Sequence, residues 1–228
     1  MSRLWSPGLA DTAISPALSY LLFKDATVKP AIYFSIDIET LGSVAGIHSM
    51  ISLGCVAFRP EGEILATYTA NLRPLTDLQI DPATVEWWKQ FPEAFEESTR
   101  DARGAEEVLK EFDAWVRQTA GNASATACCW PNWDFGFVHY YLHRFAPVNR
   151  SETSCGCVFT HRCLCIRTLV TAALGLPFRG FGKREIPKEW FGGVGHSHNA
   201  LEDALEQAHL CINALAEVRR IHSRKEMP

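Results

Sequence analysis

The chain has 228 residues, of which 47% are hydrophobic and 21% are charged, and its formal net charge is −4. This length and composition are typical of a soluble globular protein with one domain-sized core. The acidic balance argues against a protein that coats long duplexes, because such proteins carry a basic surface, but it permits a grip on one strand end. No apolar run approaches the roughly 18 residues of a membrane span, so we expect no membrane partner.

Residues 1–30 lack the basic start, long apolar centre and cleavage site of a signal peptide, and we interpret them as an N-terminal extension. Eight cysteines without a secretory signal favour reduced thiols and a cytoplasmic protein. Two C-x-C pairs flank His161, namely Cys155 with Cys157 and Cys163 with Cys165. A zinc- or thiol-based regulatory site is an alternative to core or loop thiols there, although C-x-C is shorter than the usual zinc-ligand gap.

The segment from Ala31 to Gly42, AIYFSIDIETLG, alternates in character, which predicts a strand with one apolar face. The opposite face carries Asp37 and Glu39 at its C-terminal end. Two carboxylates at i and i+2 repel each other unless a cation lies between them, and hard divalent cations such as Mg²⁺ take carboxylate oxygens. A metal site is one interpretation of this pair, and a solvated strand end is the other.

The elements that follow predict an α/β fold. Strands over residues 51–58 and 63–72, joined by the turn RPEG, predict an antiparallel meander, and Asp81 then caps a helix that begins at Pro82. The later elements are a helix over residues 105–119, a strand over 126–130, a helix over 134–145, a strand over 163–166, a helix over 168–174, an irregular stretch over 177–195 and a helix over 200–220. This order predicts a mixed sheet with helices on its faces and ligands at the C-terminal strand ends.

Two later segments carry candidate chemistry. Asp134 directly follows a predicted strand, where a plain helix N-cap is the simplest interpretation. Asn199 and Glu202 resemble a capping box, which places His198 on the loop before the last helix and Asp203 in its first turn. Asp203 lies near apolar positions on the helical wheel, so we expect partial burial, which a bound metal would offset. A surface acid favoured by the helix dipole is the alternative.

These residues and their contexts, IDIETLG, NWDFGF and HNALEDA, resemble the DEDD family of 3′–5′ exonucleases, histidine subclass (DEDDh). TVEWWKQ and CIRTL look most like small phage exodeoxyribonucleases and bacterial exoribonuclease-like relatives. The resemblance implies an exonuclease domain over residues 31–220, followed by a C-terminal tail over 221–228. It also implies a ribonuclease H-like fold, with a mixed five-stranded sheet of order 3-2-1-4-5 and helices on both faces.

The resemblance assigns roles to matching positions. Four acids would hold two Mg²⁺ or Mn²⁺ ions, and these acids are Asp37, Glu39, Asp134 and Asp203. His198 would take the proton from the attacking water, and a pair of metals stabilises the attacking and leaving oxygens of such a reaction. Many relatives have Asp at the position of Cys165, so an auxiliary contact is in doubt.

Contacts to substrate are the third expectation. By resemblance, Thr40 and Leu41 would touch the terminal nucleotide. Trp88 or its neighbour Trp87 could stack on a base, because aromatic side chains suit single strands, and core packing is the alternative. The expected reaction removes nucleoside 5′-monophosphates from the 3′ end of single-stranded DNA or RNA. A non-catalytic nucleic-acid-binding or scaffold domain is the alternative, and a homodimer is left open.

Overall fold

The computed structural model describes residues 30–146, 157–159, 163–179, 182–195 and 197–224. The predicted N-terminal extension, apart from its last residue, lies outside the described residues, as do Cys155, His161 and the end of the predicted C-terminal tail. None of the helices within the described ranges combines the length and the apolar character needed to cross a membrane.

Five strands form one mixed sheet in the order β3-β2-β1-β4-β5. The strands are β1 (Ala31–Thr40), β2 (Met50–Phe58), β3 (Ile64–Asn71), β4 (Ser124–Cys129) and β5 (Cys163–Cys165). The first three pair antiparallel, whereas β4 pairs parallel with both β1 and β5. This architecture confirms the predicted fold class and strand order.

Helices cover both faces of the sheet. The α-helices in the described part of the chain are α1 (Pro82–Trp88), α2 (Pro92–Thr99), α3 (Ala105–Ala120), α4 (Asp134–Phe145), α5 (Ile166–Leu174) and α6 (Ala200–Arg224). One buried cluster joins the sheet to α3 and α4, and a second joins it to α5 and α6. The central strand β1 therefore lies between two cores.

Strand β1 is covered on both faces, which is more than its alternating sequence predicted. Phe34 and Ile36 pack in the cluster with α3 and α4, whereas Tyr33 stacks on Phe58 in the cluster with α6. Because the second face is also covered, Glu39 is only 8% exposed. The solvated strand end is therefore excluded.

Three features differ from the sequence-based expectations. Helix α2 was not predicted, although Pro92 at its first position is a recognised start signal. Helix α6 continues four residues beyond the predicted end at residue 220. The stretch expected to be irregular contains two short 3₁₀ turns, Lys183–Glu185 and Lys188–Phe191.

Candidate active site

A cavity of about 640 Å³ opens at the C-terminal ends of β1 and β4. Its walls include all five side chains that the sequence singled out for chemistry, namely Asp37, Glu39, Asp134, His198 and Asp203. These residues come from three separate segments of the chain. The parallel pairing of β1 with β4 brings the first three to one edge of the sheet, because parallel strands end on the same side.

A close approach between β2 and α6 brings the last two residues to the same place. Gly54 lies opposite Asp37 in the register of β1 and β2. A Cβ at Gly54 would lie 2.1 Å from the carbonyl oxygen of Ala200, so only glycine lets the start of α6 sit this close to the sheet. The first turn of α6 therefore holds Asp203 over the carboxylates of β1.

The four acids are crowded and largely withdrawn from water. Asp134 and Asp203 are each 2% exposed. Burial, reinforced by Asp134 and Glu39, raises the pKa of Asp37 well above its usual range. Burial, then the charges of Asp203 and Asp134, raises the pKa of Glu39 to about 9. Burial also raises the pKa of Asp134 to about 7, against the hydrogen bond that its Oδ2 accepts from the Trp130 amide at 3.0 Å.

This donor set fits divalent cations. Glu39, His198 and Asp203 each offer a ligand atom within 4.8 Å of the others. Hard cations prefer carboxylate oxygens, and burying several carboxylates together is costly unless a positive charge joins them. The raised pKa values of Asp37 and Glu39 are the sign of that cost in the protein without metal.

In EDTA, the free energy of unfolding is expected to fall as pH rises from about 5 to about 9. Free carboxylic acids lose their protons at about pH 4. Because the pKa values of the site are raised in the folded state, the folded state binds more protons than the unfolded chain above this pH. Their contribution is therefore present at low pH and is lost as pH rises through about 7 for Asp134 and about 9 for Glu39.

Thermal unfolding at pH 6 and pH 8, in EDTA and in Mn²⁺, measures this effect. The gain in Tm from Mn²⁺ is expected to be larger at pH 8, where more of the ligand carboxylates are charged. A Glu39→Gln variant should show a shallower loss of stability with pH in EDTA. A metal-induced gain of the same size at both pH values would contradict the prediction.

Gln207 is a site residue that the sequence did not identify. Its Nε2 donates a hydrogen bond to Asp37 Oδ1 at 2.5 Å, which holds that carboxylate against α6. Its own Oε1 is buried and has no hydrogen-bond partner among the residues that the structure describes. The only trace in the sequence is a polar residue one turn after Asp203, on a side of the helix that also carries Leu210.

The three predicted substrate contacts lie in or below the floor of the cavity. Trp88 is 3% exposed and its Nε1 donates to the Thr40 carbonyl oxygen at 3.0 Å. Leu41 is 5% exposed and packs with Trp88 and Ile51. Thr40 lines the cavity, but its Oγ1 donates to the Gly42 carbonyl at 2.8 Å. Trp88 therefore supports the pocket and has no free ring face for a base.

Three other tryptophans present exposed surface to the cavity. Trp87, on α1, is 37% exposed, and Trp130 and Trp133, before α4, are 43% and 42% exposed. The sequence pattern pointed to Trp87 beside Trp88, and it did not identify Trp130 or Trp133. Their spacing around Pro131 in WPNWD gives no periodic pattern, so only the fold brings them to the pocket.

His198 occupies an unusual backbone conformation. Its φ is +56°, which is rare for a residue other than glycine and is common at functional sites. Its ring packs edge-on against Trp87 at 5.0 Å and lies 4.4 Å from the ring of Phe91. The two aromatic rings hold the imidazole at the mouth of the acidic cluster.

The capping of α6 differs in part from the predicted capping box. Asn199 Oδ1 accepts from the amides of Leu201 and Glu202, as expected of an N-cap. The Glu202 carboxylate instead accepts a hydrogen bond from Ser197 Oγ at 2.6 Å. The Ser197 amide donates to Asp203 Oδ1, which ties the loop of His198 to the buried acid.

A basic side chain and a thiol near the site have structural partners. Lys183 donates to both carboxylate oxygens of Glu206 at 2.7 and 2.8 Å. Cys163 Sγ lies 3.5 Å from the Sγ of Cys129, which favours a packed thiol there. Cys165 is half-buried at the end of β5.

Comparison with known proteins agrees with this geometry. The family model described as the 3′-5′ exoribonuclease Rv2179c-like domain matches residues 33–215. The chain is 26% identical over 195 residues to the 3′-5′ DNA exonuclease Cap18 of Escherichia coli, with 83% of this chain and 96% of that protein covered.

Two solved structures share the fold. The nuclease domain of 3′hExo, a DEDDh family member bound to rAMP, superposes with a TM-score of 0.54 at 16% identity, covering 84% of this chain and 94% of the other. The zinc-bound E. coli ExoI–ssDNA complex gives 0.52 at 15% identity, covering 85% of this chain and 42% of the other. The chain belongs to the Rv2179c-like 3′-5′ exoribonuclease domain family and is a 3′–5′ exonuclease with the ribonuclease H-like fold of the DEDDh enzymes.

Proposed function

We propose that this exonuclease uses two Mg²⁺ or Mn²⁺ ions to hydrolyse the 3′-terminal phosphodiester of single-stranded DNA or RNA, releasing nucleoside 5′-monophosphates. The observation that carries the proposal is the meeting of four acids and one histidine, from three segments, in one cavity. The acids that would hold the ions are Asp37, Glu39, Asp134 and Asp203.

The side chains divide the work of hydrolysis. His198 accepts the proton of the attacking water, since an imidazole at the mouth of an acidic pocket can act as a general base at neutral pH. Gln207 keeps the Asp37 carboxylate in one orientation through its 2.5 Å hydrogen bond. When bound, the divalent ions supply Lewis-acid stabilisation of the attacking and leaving oxygens.

The tryptophans favour an unpaired strand as substrate. Trp87, Trp130 and Trp133 present exposed rings to the cavity, and aromatic faces bind unstacked bases without regard to sequence. One of the related structures is bound to rAMP, and the other is a complex with single-stranded DNA. We therefore propose a 3′-terminal nucleotide whose base lies against a tryptophan while its phosphate faces the acids.

A Trp87→Ala variant is expected to raise KM for a short single-stranded oligonucleotide about tenfold or more, because stacking on one base contributes about 1–3 kcal/mol. Trp87→Phe keeps an aromatic face and should recover most of the affinity. Steady-state kinetics on single strands of both nucleic acids measure the effect. Trp88→Phe is the comparison, because Trp88 is buried, and it should leave KM nearly unchanged. A raised KM in Trp88→Phe together with a normal KM in Trp87→Ala would contradict the assignment.

The deciding experiment incubates the purified protein with matched 5′-labelled single-stranded DNA and RNA in Mg²⁺, in Mn²⁺ and in EDTA. We expect ladders that shorten from the 3′ end, mononucleotide products bearing a 5′ phosphate, and no products in EDTA. Products in EDTA would exclude a metal-dependent reaction. Binding without shortening, for both nucleic acids and both metals, would favour the non-catalytic scaffold.

A further inference from the structure

Two histidines on α4 face each other one turn apart, outside the set of residues that line the catalytic cavity. The Nε2 atoms of His139 and His143 lie 3.1 Å apart, and their ring centroids are 4.4 Å apart. His139 is half-buried and His143 is exposed. The exonuclease reaction proposed above assigns no role to either residue.

The distance between the two nitrogens fits a shared ion. Zinc–imidazole bonds measure about 2.0–2.1 Å, so two such bonds to nitrogens 3.1 Å apart meet at an angle of about 100°. This value lies between the octahedral and the tetrahedral angle. Two imidazolium rings would both present N–H donors and would repel each other, so at least one ring is neutral and the two nitrogens share one proton in a hydrogen bond. An ion would take the place of that proton and accept a lone pair from each nitrogen.

The surroundings keep the pair available for an ion. The ring of Phe135 lies 5.4 Å from that of His139 and fixes one side of it. The nearby cation, Arg144, donates to Asp77 at 2.7 Å and to Tyr140 at 2.9 Å, so its charge is compensated on the neighbouring surface. Burial, then His143, lowers the pKa of His139, which favours its neutral form.

We propose that His139 and His143 form a binding site for a divalent transition-metal ion that prefers imidazole nitrogen, such as Zn²⁺. Water completes the coordination on the exposed side. This site differs in ligand chemistry from the catalytic cavity, because hard cations such as Mg²⁺ prefer the carboxylate oxygens there. An ion held at i and i+4 would join two turns of α4, the helix that begins at Asp134.

The test is a Zn²⁺ titration of the full chain in excess Mg²⁺, followed by ¹³C–¹H spectra of the histidine rings. The ring signals of His139 and His143, assigned from His139→Ala and His143→Ala variants, are expected to shift together and to saturate at one ion per chain. Each single variant should lose the shift of the remaining ring. An exposed histidine elsewhere, His222, should not move. Signals of the pair that stay unchanged while Zn²⁺ binds elsewhere would overturn the proposal.

Thermal unfolding separates this site from the catalytic one. With Zn²⁺ in excess Mg²⁺, the wild type and an Asp203→Asn variant are expected to gain the same Tm increment, and His143→Ala is expected to lose it. An increment that survives in His143→Ala but disappears in Asp203→Asn would place the ion in the catalytic cavity and would overturn the proposal. Hydrolysis in Mg²⁺ alone should be unchanged in His143→Ala, whether or not the exonuclease mechanism proposed above is correct.

Discussion

Replacement of Asp203 by Asn is expected to lower the rate of 3′-terminal hydrolysis by about 10²- to 10³-fold, the range for losing one electrostatic stabiliser. Asp203 is 2% exposed, and one of its oxygens lies within 4.8 Å of ligand atoms on Glu39 and His198. Asparagine has the same shape but no charge, so the variant keeps the packing and weakens the hold on the proposed ions. Single-turnover rates across a Mn²⁺ titration measure both consequences.

The same variant is expected to stay folded in EDTA with an unchanged or higher Tm. Burial is the main reason for the raised pKa of Glu39, and the charge of Asp203 is the next, so removing that charge relieves repulsion. Glu202→Gln is the matched control, because Glu202 is exposed on the same turn and binds Ser197 outside the acidic cluster. It should retain nearly the wild-type rate. Near-normal turnover in Asp203→Asn would contradict metal ligation.

Three acids of the site were predictable because each one is unusual for its place in a regular pattern. Asp37 and Glu39 follow the alternation of a strand and so place two charges side by side on one face, where they need a compensating partner. Asp203 lies beside apolar positions on a helix, and the structure confirms the burial that this position implied. Local periodicity was sufficient in both cases, since strand and helix geometry fix which side chains share a face.

The tryptophans show where local patterns stop being informative. Trp87 and Trp88 are adjacent on α1, and nothing in their sequence context decides which one faces the core. The choice depends on the Thr40 carbonyl oxygen, which accepts the indole N–H of Trp88 and is contributed by a strand 48 residues earlier. Trp87 is left at the surface, in contact with His198. Such contacts between distant segments exist only in the fold.

Gln207 was missed for a related reason. A single polar residue on a half-apolar side of a helix is usually solvated. The helical wheel shows which residues of the helix share a face, but it does not show that Gln207 lies beside Asp37. The absence of a side chain at Gly54 brings α6 against the sheet, and this approach converts Gln207 into a donor to Asp37. The position of the helix relative to the strand thus determined the role of the side chain.

Replacement of His198 by Asn is expected to lower kcat about 10²- to 10⁴-fold, the usual contribution of a general base, with a much smaller change in KM. Asparagine tolerates the positive φ of +56° at this position better than other residues, so the loop should keep its backbone. The variant therefore separates the loss of the imidazole from a rearrangement of the loop. Steady-state kinetics with a single-stranded oligonucleotide in Mn²⁺ measure the two parameters.

A base acting on water and a side chain that only binds substrate differ in their pH dependence. If His198 removes the proton, the wild type should lose kcat as the imidazole becomes protonated, and this acidic limb should disappear in His198→Asn. A parallel His222→Ala variant, changed at an exposed histidine at the far end of α6, should keep the wild-type profile. A His198→Asn enzyme with normal kcat and a raised KM would assign the ring to substrate binding, through its contacts with Trp87 and Phe91, and the general base would have to be sought elsewhere in the cavity.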